Sequence, residues 1–288
     1  MGEARREGGG DLPRDVAILC VGRELLKGNT LDRNANWMAR RIDPLGLRCW
    51  RFSTVDDVAA EIGREVRWIL DSGTRFLVTT GGLGPTFDDM TVRAIAAALD
   101  LPLELDRRAE KWVREAYARL YEEGLTSTPE LGPGRRKMAF LPRGAQPLFN
   151  PLGAAPGMAL EREGTTILSF PGVPEEMQAM FPLHAEPRFR EYLKERKPKV
   201  RREAEIVWSG KDESLLEEHV REVTSRYPGL YVKSRVRGTG KDVEIRITLW
   251  CEGEDPRQVE AVLARAVGDL KARLASLGAP PGPEAGSS

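Results

Sequence analysis

The stretch from Phe76 to Leu99, FLVTTGGLGPTFDDMTVRAIAAAL, decides the fold. It opens with Phe76-Leu77-Val78, a short apolar run suited to a buried strand. Three glycines in four residues follow, Gly81, Gly82 and Gly84, with Leu83 between them. Pro85 and Thr86 lead into two adjacent carboxylates, Asp88 and Asp89, and an apolar helical pattern from Met90 to Leu99 closes the segment. Strand, glycine loop and helix start together expose backbone N–H groups and the positive end of a helix dipole to an anion. Two carboxylates beside an anion site fit a divalent metal bridging them to a phosphate. The segment therefore predicts a site for a nucleotide or another phosphorylated ligand.

The flanking sequence repeats the strand–helix alternation. Strands are expected at Val16 to Val21, Leu47 to Ser53, Phe76 to Thr80 and Thr165 to Phe170. Helices are expected at Arg33 to Asp43, Val58 to Leu70, Met90 to Leu99, Glu110 to Glu123 and Pro174 to Phe181. Such alternation predicts an α/β domain with a mostly parallel sheet covered on both sides. Thr126 to Gly134 reads as loop. Ala145 to Phe149 and Met158 to Glu161 read as a hairpin around Asn150-Pro-Leu-Gly-Ala-Ala-Pro-Gly157. The register changes after the charged stretch Glu191 to Arg202. Beyond it come a strand at Ala204 to Ser209, a helix at Glu213 to Arg226, strands at Leu230 to Val236 and Val243 to Cys251, and a helix at Pro256 to Leu274. That βαββα order predicts a smaller α+β domain. The expected organisation is a disordered arm at 1–14, the larger domain at 15–190, the smaller at 203–276 and a disordered tail at 279–288.

Composition narrows the function classes. Lys plus Arg and Asp plus Glu are 44 each, so net charge is zero and gives no long-range attraction for nucleic acid or an anionic membrane. Three widely spaced cysteines, Cys20, Cys49 and Cys251, read as buried free thiols of a reducing compartment. Two histidines make a histidine-rich zinc site improbable. No run of 18 apolar residues exists, and the charged N-terminus does not read as a secretory signal. A cytoplasmic protein that binds neither nucleic acid nor membrane is expected.

Three loops leave the carboxyl ends of the expected parallel strands: Gly22 to Gly28, Gly81 to Asp89, and Pro171 to Met177. Open α/β sheets bind ligands at that edge, where strand order reverses. A 2-1-3 strand order would put the first two loops in one crevice, with Glu24 near Asp88 and Asp89. The glycine loop lacks the Lys-Ser/Thr ending of a P-loop and the spacing of a dinucleotide fingerprint. Competing structural readings exist. Thr86 with Asp89 fits a capping box, though a helix needs only one cap and two acids invite a second role. Asn34 fits a helix cap, Asp56 and Asp57 fit the next one, and Lys137 fits a solvated charge or a phosphate contact. Glu175 and Glu176 suit a helix first turn, with a catalytic role ranked below that.

Four blocks, GRELLKGNTLDRNA, TTGGLGPTFDDMT, NPLGAAPG and FPGVPEEMQAMF, resemble in order and spacing the N-terminal domain of CinA proteins, a branch of the molybdopterin-binding fold of MoaB, MogA and gephyrin type. The resemblance covers about residues 14–185. The segment from about 204 to 275 resembles the small middle domain that follows in CinA-like proteins. Against the usual family pattern, Arg23, Arg33 and Ala154 stand where threonine is common and Asp56 where glycine is. An Asn-x-Lys-Gln-Ala block is reduced to Arg135-Arg-Lys-Met-Ala139. The resemblance implies a three-layer fold and a metal-dependent pyrophosphatase acting on ADP-ribose or a related nucleotide diphosphate. It implies catalysis at Asp88, Asp89 and Glu24, with Mg²⁺ or another divalent ion on Asp88 and Asp89. Substrate contacts are implied at Gly81, Gly82, Leu83, Gly84, Thr86, Asn34, Lys137, Asn150, Gly153 and Gly172. It also implies a homodimer or higher homo-oligomer, and no nicotinamide mononucleotide deamidase activity, which resides in a further domain. The alternatives are molybdopterin adenylylation with Mg-ATP and a non-catalytic nucleotide-binding module.

Overall fold

The computed structural model describes residues 13–194, 200–209, 213–237 and 244–277. The elements of the first unit run β1 (Val16–Val21), α1 (Arg23–Leu26), α2 (Arg33–Ile42), β2 (Cys49–Val55), α3 (Ala59–Asp71), β3 (Phe76–Thr80), α4 (Thr91–Ala98), β4 (Leu103–Leu105), α5 (Arg107–Glu122), α6 (Pro133–Lys137), β5 (Phe140–Pro142), β6 (Gln146–Leu148), β7 (Gly157–Arg162), β8 (Thr165–Phe170) and α7 (Pro174–Lys194). The second unit has β9 (Val200–Trp208), α8 (Leu216–Arg226), β10 (Leu230–Arg237), β11 (Glu244–Gly253) and α9 (Pro256–Ser276). The chain divides between Tyr192 and Leu193.

The main sheet has the order β2-β1-β3-β8-β7-β6. The first four strands are parallel, while β7 runs antiparallel to both β8 and β6. The 2-1-3 order assumed in placing the first two loops in one crevice is present, and so is the hairpin around Asn150. Both faces of the central strands are buried, which explains their continuous apolar runs. Alternate residues serve opposite layers. Ala17, Leu19, Val21, Leu77 and Ile167 pack with Ile62, Val66, Ala94 and Ile95 of α3 and α4. On the other face, Phe76 and Phe170 meet Phe189 and Phe181 of α7, at ring-centroid distances of 4.7 and 6.0 Å.

Several boundaries differ from the pattern reading. α5 starts three residues early because the Asp106 side chain caps it, accepting from Arg108 N and Ala109 N. α7 continues past Phe181, through Pro182 and Pro187, to Lys194. Residues 133–137 form α6, with Pro133 in its first turn, where a missing N–H costs nothing. β4 and β5 pair with each other as three-residue strands, too short to show a period. Residues 1–12 of the arm expected at 1–14, the tail and Val243 lie outside the described residues; Arg14 is not part of a loose arm, since its guanidinium donates to Ser72 O at 2.7 Å and its carbonyl accepts from Arg75 N at 3.1 Å. All three cysteines are free, Cys20 and Cys251 buried and Cys49 half-buried. Among the described residues, no helix is long and apolar enough to cross a membrane.

In the second unit an antiparallel sheet of order β10-β11-β9 carries α8 and α9. β11 buries every second residue, Ile245, Ile247, Leu249 and Cys251, against Leu216, Val223, Leu263 and Leu270.

Phe76 is 1% exposed and joins the sheet to α7. Phe76→Ala is expected to lower stability by about 3–5 kcal/mol through lost burial and a residual cavity, read as a fall in the urea midpoint.

Candidate functional site

The glycine loop leaves β3 at the centre of the sheet and returns into α4. Gly81 and Gly82 have φ of +98° and +68°, left-handed conformations that side chains strain to adopt. Space forbids a side chain as well. A Cβ on Gly81 would lie 2.2 Å from the Val21 carbonyl oxygen, and one on Gly82 would lie 2.2 Å from Thr91 Oγ1. Thr91, fully buried, closes the loop: its Oγ1 donates to Gly81 O at 2.8 Å and its N–H to Gly82 O at 3.1 Å. Gly81 N donates to Phe170 O at 3.1 Å, which ties the loop to the end of β8. Gly172, in the loop after β8, passes so close that a Cβ there would lie 3.2 Å from Gly81 Cα.

The aspartates do not cap α4. That helix begins at Thr91, with Met90 at its N-cap and no side-chain cap bond. Asp88 and Asp89 instead fold back on Thr86. Thr86 N–H donates to Asp89 Oδ2 at 2.9 Å. The Thr86 hydroxyl lies 2.5 Å from Asp88 Oδ1 and 2.6 Å from Asp89 Oδ2. The hydrogen bond from Thr86, with Lys137 and Arg23 nearby, holds the Asp88 carboxyl below its ordinary pKa. Lys137 is not a free solvated charge. Its ammonium donates to Thr86 O and, at 3.0 Å, to Asp89 O, and partial burial lowers its pKa. It therefore grips the same turn that carries the two acids.

The other expected residues fall on two sides of this loop. Asn34 lies in the first turn of α2, whose cap is Asp32, accepting from Ala35 N at 2.9 Å. Asn34 Nδ2 donates to Thr80 Oγ1 at 3.0 Å and to Gly172 O at 2.9 Å. The Thr80 hydroxyl gives its proton to Pro171 O, so only the amide NH₂ of Asn34 can face these partners. Asn34 Oδ1 is left buried without a partner among the described residues. A cavity of about 460 Å³ opens beside it, lined by Cys20, Glu24, Asn29, Asp32, Thr80 and Gly172 among others. Glu24 belongs to this cavity, and the neighbour of Asp88 from the first loop is Arg23. Among the described residues no three His, Cys, Asp or Glu side chains gather to hold a metal, so Glu24 does not complete a cluster with Asp88 and Asp89.

Asn150 organises the loop between β6 and β7. Its Oδ1 accepts from Leu152 N and Gly153 N, and its Nδ2 donates to Ala155 O at 3.0 Å and to Glu176 Oε2 at 2.6 Å. The Glu176 carboxyl occupies the space a Cβ on Gly153 would need. Burial raises its pKa above the ordinary value, against the opposing pull of the Asn150 hydrogen bond. Glu176 suits a helix first turn by sequence, and its tie to Asn150, 26 residues away on another loop, leaves no local signal.

Residues 17–191 match the family model described as a probable molybdopterin-binding domain. The chain belongs to the molybdopterin-binding domain family. Relatives of this family member include a protein of Pyrococcus abyssi, 39% identical over 246 residues that cover 85% of this chain and 93% of that one. A CinA-like protein of Parasynechococcus marenigrum is 47% identical over 178 residues, 62% of this chain and 41% of the longer relative. Among solved structures, CinA of Thermoplasma acidophilum aligns with a TM-score of 0.54 at 33% identity, covering 62% of this chain and 98% of that one. The four motif blocks quoted above thus lie on the CinA-like, MoaB/MogA-type fold they resemble.

Two outcomes follow from the loop geometry. Gly82→Ala must open the contact with Thr91 or strain its own backbone, and about 2 kcal/mol of lost stability is expected in thermal unfolding. For Glu176, the raised folded-state pKa makes the charged form the costlier one. Its contribution is most favourable below the ordinary glutamate value of about 4.3 and is lost as pH rises through the raised value. Glu176→Gln, which keeps the acceptor for Asn150, is expected to exceed the wild type in stability at pH 8 and to lose that advantage at pH 4, in paired denaturation curves.

Proposed function

We propose that this protein is a divalent-metal-dependent hydrolase of the pyrophosphate bond in ADP-ribose or a related nucleotide diphosphate, releasing AMP and ribose 5-phosphate. The observation that carries the reading is the turn Thr86–Asp89. One hydroxyl proton lies between two carboxylate oxygens, at 2.5 and 2.6 Å, so one of these contacts is acceptor against acceptor. A cation relieves that repulsion, and Mg²⁺ binds through one or two carboxylates plus phosphate oxygens and water. Asp88 and Asp89 are the residues that would hold it.

A bound divalent ion supplies a Lewis acid for phosphoryl oxygens and lowers the pKa of a coordinated water. The chain's own groups do the rest. Asp88 is held ionised by Thr86, and a carboxylate with a lowered pKa is a weak base, so its role is to bind the cation rather than to take a proton. Lys137 keeps the turn in place through the Thr86 and Asp89 carbonyls. The glycine loop, held against β8 and Gly172, offers the backbone an anion can approach. The cavity beside Asn34 has room for the rest of the nucleotide, since ligand sites start at about 300 Å³.

The test is purified protein with ADP-ribose and a panel of divalent metals, with AMP followed by chromatography. Metal-dependent AMP release is expected, with kcat falling about 10²-fold or more in Asp88→Asn. No AMP under any metal sinks the proposal. In that event an adenylylated product from molybdopterin and Mg-ATP would favour the transferase reading. Nucleotide-induced stabilisation without turnover would favour a binding module.

A further inference from the structure

Two loops at the carboxyl edge of the sheet, those following β1 and β2, meet through Arg23 and Asp56. Arg23 Nε donates to Asp56 Oδ1 at 2.9 Å and to Asp56 Oδ2 at 3.1 Å. Arg23 N–H donates to Asp57 Oδ2 at 2.9 Å, and Asp57 N–H donates back to Asp56 Oδ1 at 2.7 Å. Gly22 N–H, one residue earlier, donates to Val55 O at 3.1 Å. The ends of β1 and β2 are thus joined, and the guanidinium is held by one edge only. Neither Nη of Arg23 makes a hydrogen bond among the described residues, and 57% of the side chain is exposed. The glycine loop passes this end of β1, where a Cβ on Gly81 would lie 2.2 Å from the Val21 carbonyl oxygen, and Arg23 and Asp88 each feel the other's charge.

A purely structural role explains this arrangement poorly. An exposed ion pair contributes at most about 1 kcal/mol. A guanidinium held at Nε with its Nη donors open is instead the form that grips phosphate through two parallel hydrogen bonds. It stands at the carboxyl edge of the sheet, just past β1, the strand paired with the β3 strand from which the glycine loop leaves.

We propose that Arg23 is a phosphate-binding residue of this site, oriented by Asp56, which takes the phosphate of a pyrophosphate-bearing ligand that the glycine loop and the Asp88–Asp89 metal position do not. The inference rests on the anion-and-metal reading of the glycine loop and adds a specificity to it. With Arg23 the site selects ligands carrying two linked phosphates over those carrying one.

The test is isothermal titration calorimetry on the full chain with Mg²⁺, using inorganic pyrophosphate, ADP-ribose and AMP as probes. Arg23→Thr is expected to weaken pyrophosphate and ADP-ribose about tenfold and AMP little, with the loss shrinking at high salt and the melting temperature unmoved. Asp56→Gly, which frees the guanidinium without removing it, is expected to cost less, and the double variant no more than Arg23→Thr. Unchanged affinity in Arg23→Thr, with the wild type binding, overturns the role of Arg23 and leaves the hydrolase reading standing. A fall in melting temperature matching the affinity loss, equal in Asp56→Gly, makes the pair structural and also overturns it. A wild type that binds none of the probes overturns both readings together.

Discussion

Thr91 holds the site together. Its hydroxyl and its N–H bond to the carbonyls of Gly81 and Gly82, fixing both ends of a turn that no residue with a side chain could make. Because Thr91 is also the first residue of α4, the loop is fastened to a helix whose apolar face is anchored under the sheet by Ala94 and Ile95. The neighbouring loops then close around it. Gly172 lies so close to Gly81 that a Cβ on it would crowd the Gly81 backbone at 3.2 Å, and the Asn34 amide reaches both the Gly172 carbonyl and Thr80. The parallel sheet supplies the edge, and this set of carbonyl contacts gives the edge a shape.

The same geometry decides between two readings of the paired aspartates. A cap would have explained one of them at about 1 kcal/mol of helix stability. It requires the acid to lie just outside the first helical residue with its oxygen on an N–H of the first turn. Asp89 Oδ2 meets the N–H of Thr86, upstream of the helix, and Met90 occupies the cap position without a side-chain bond. Helix stability therefore gives no reason for either acid. What remains is a tight turn whose two carboxylates meet Thr86 and whose Thr86 and Asp89 carbonyls are held by Lys137.

The layers and the loops at the carboxyl edge of the sheet were legible because they rest on periodicity and local composition. Val16–Val21, Phe76–Thr80 and Thr165–Phe170 are unbroken apolar runs, and such runs in alternation with helices admit few topologies. The partnerships inside the site were not legible. Lys137 meets a carbonyl 51 residues away, and Asn34 one 138 residues away. Nothing in the local pattern of either residue distinguishes such a contact from solvent. Glu24 shows the converse error. Chain position placed it at the right edge, but one residue of difference along a single helical turn put Arg23 beside Asp88 and Glu24 in the cavity near Asn34. Spacing predicts which loop a residue joins, and the turn of the backbone decides which side of the loop it serves.

That resolution matters for charge. The Thr86 hydroxyl faces both Asp88 and Asp89, the Thr86 N–H serves Asp89, and the backbone N–H of Asp88 helps hold its own carboxylate. The closest ammonium, on Lys137, is committed to carbonyl oxygens, and partial burial weakens its hold on its own proton. Arg23 already shares its charge with Asp56. Two adjacent carboxylates that are not neutralised by the protein can protonate or take a cation from solution. The hydrogen bond from Thr86 that lowers the Asp88 pKa disfavours protonation, which is why the proposed function gives the pair a cation. Under the proposed function, an anionic ligand approaching the glycine loop would meet repulsion from these acids until such a cation was in place, and the binding of metal and of phosphate would be mutually dependent.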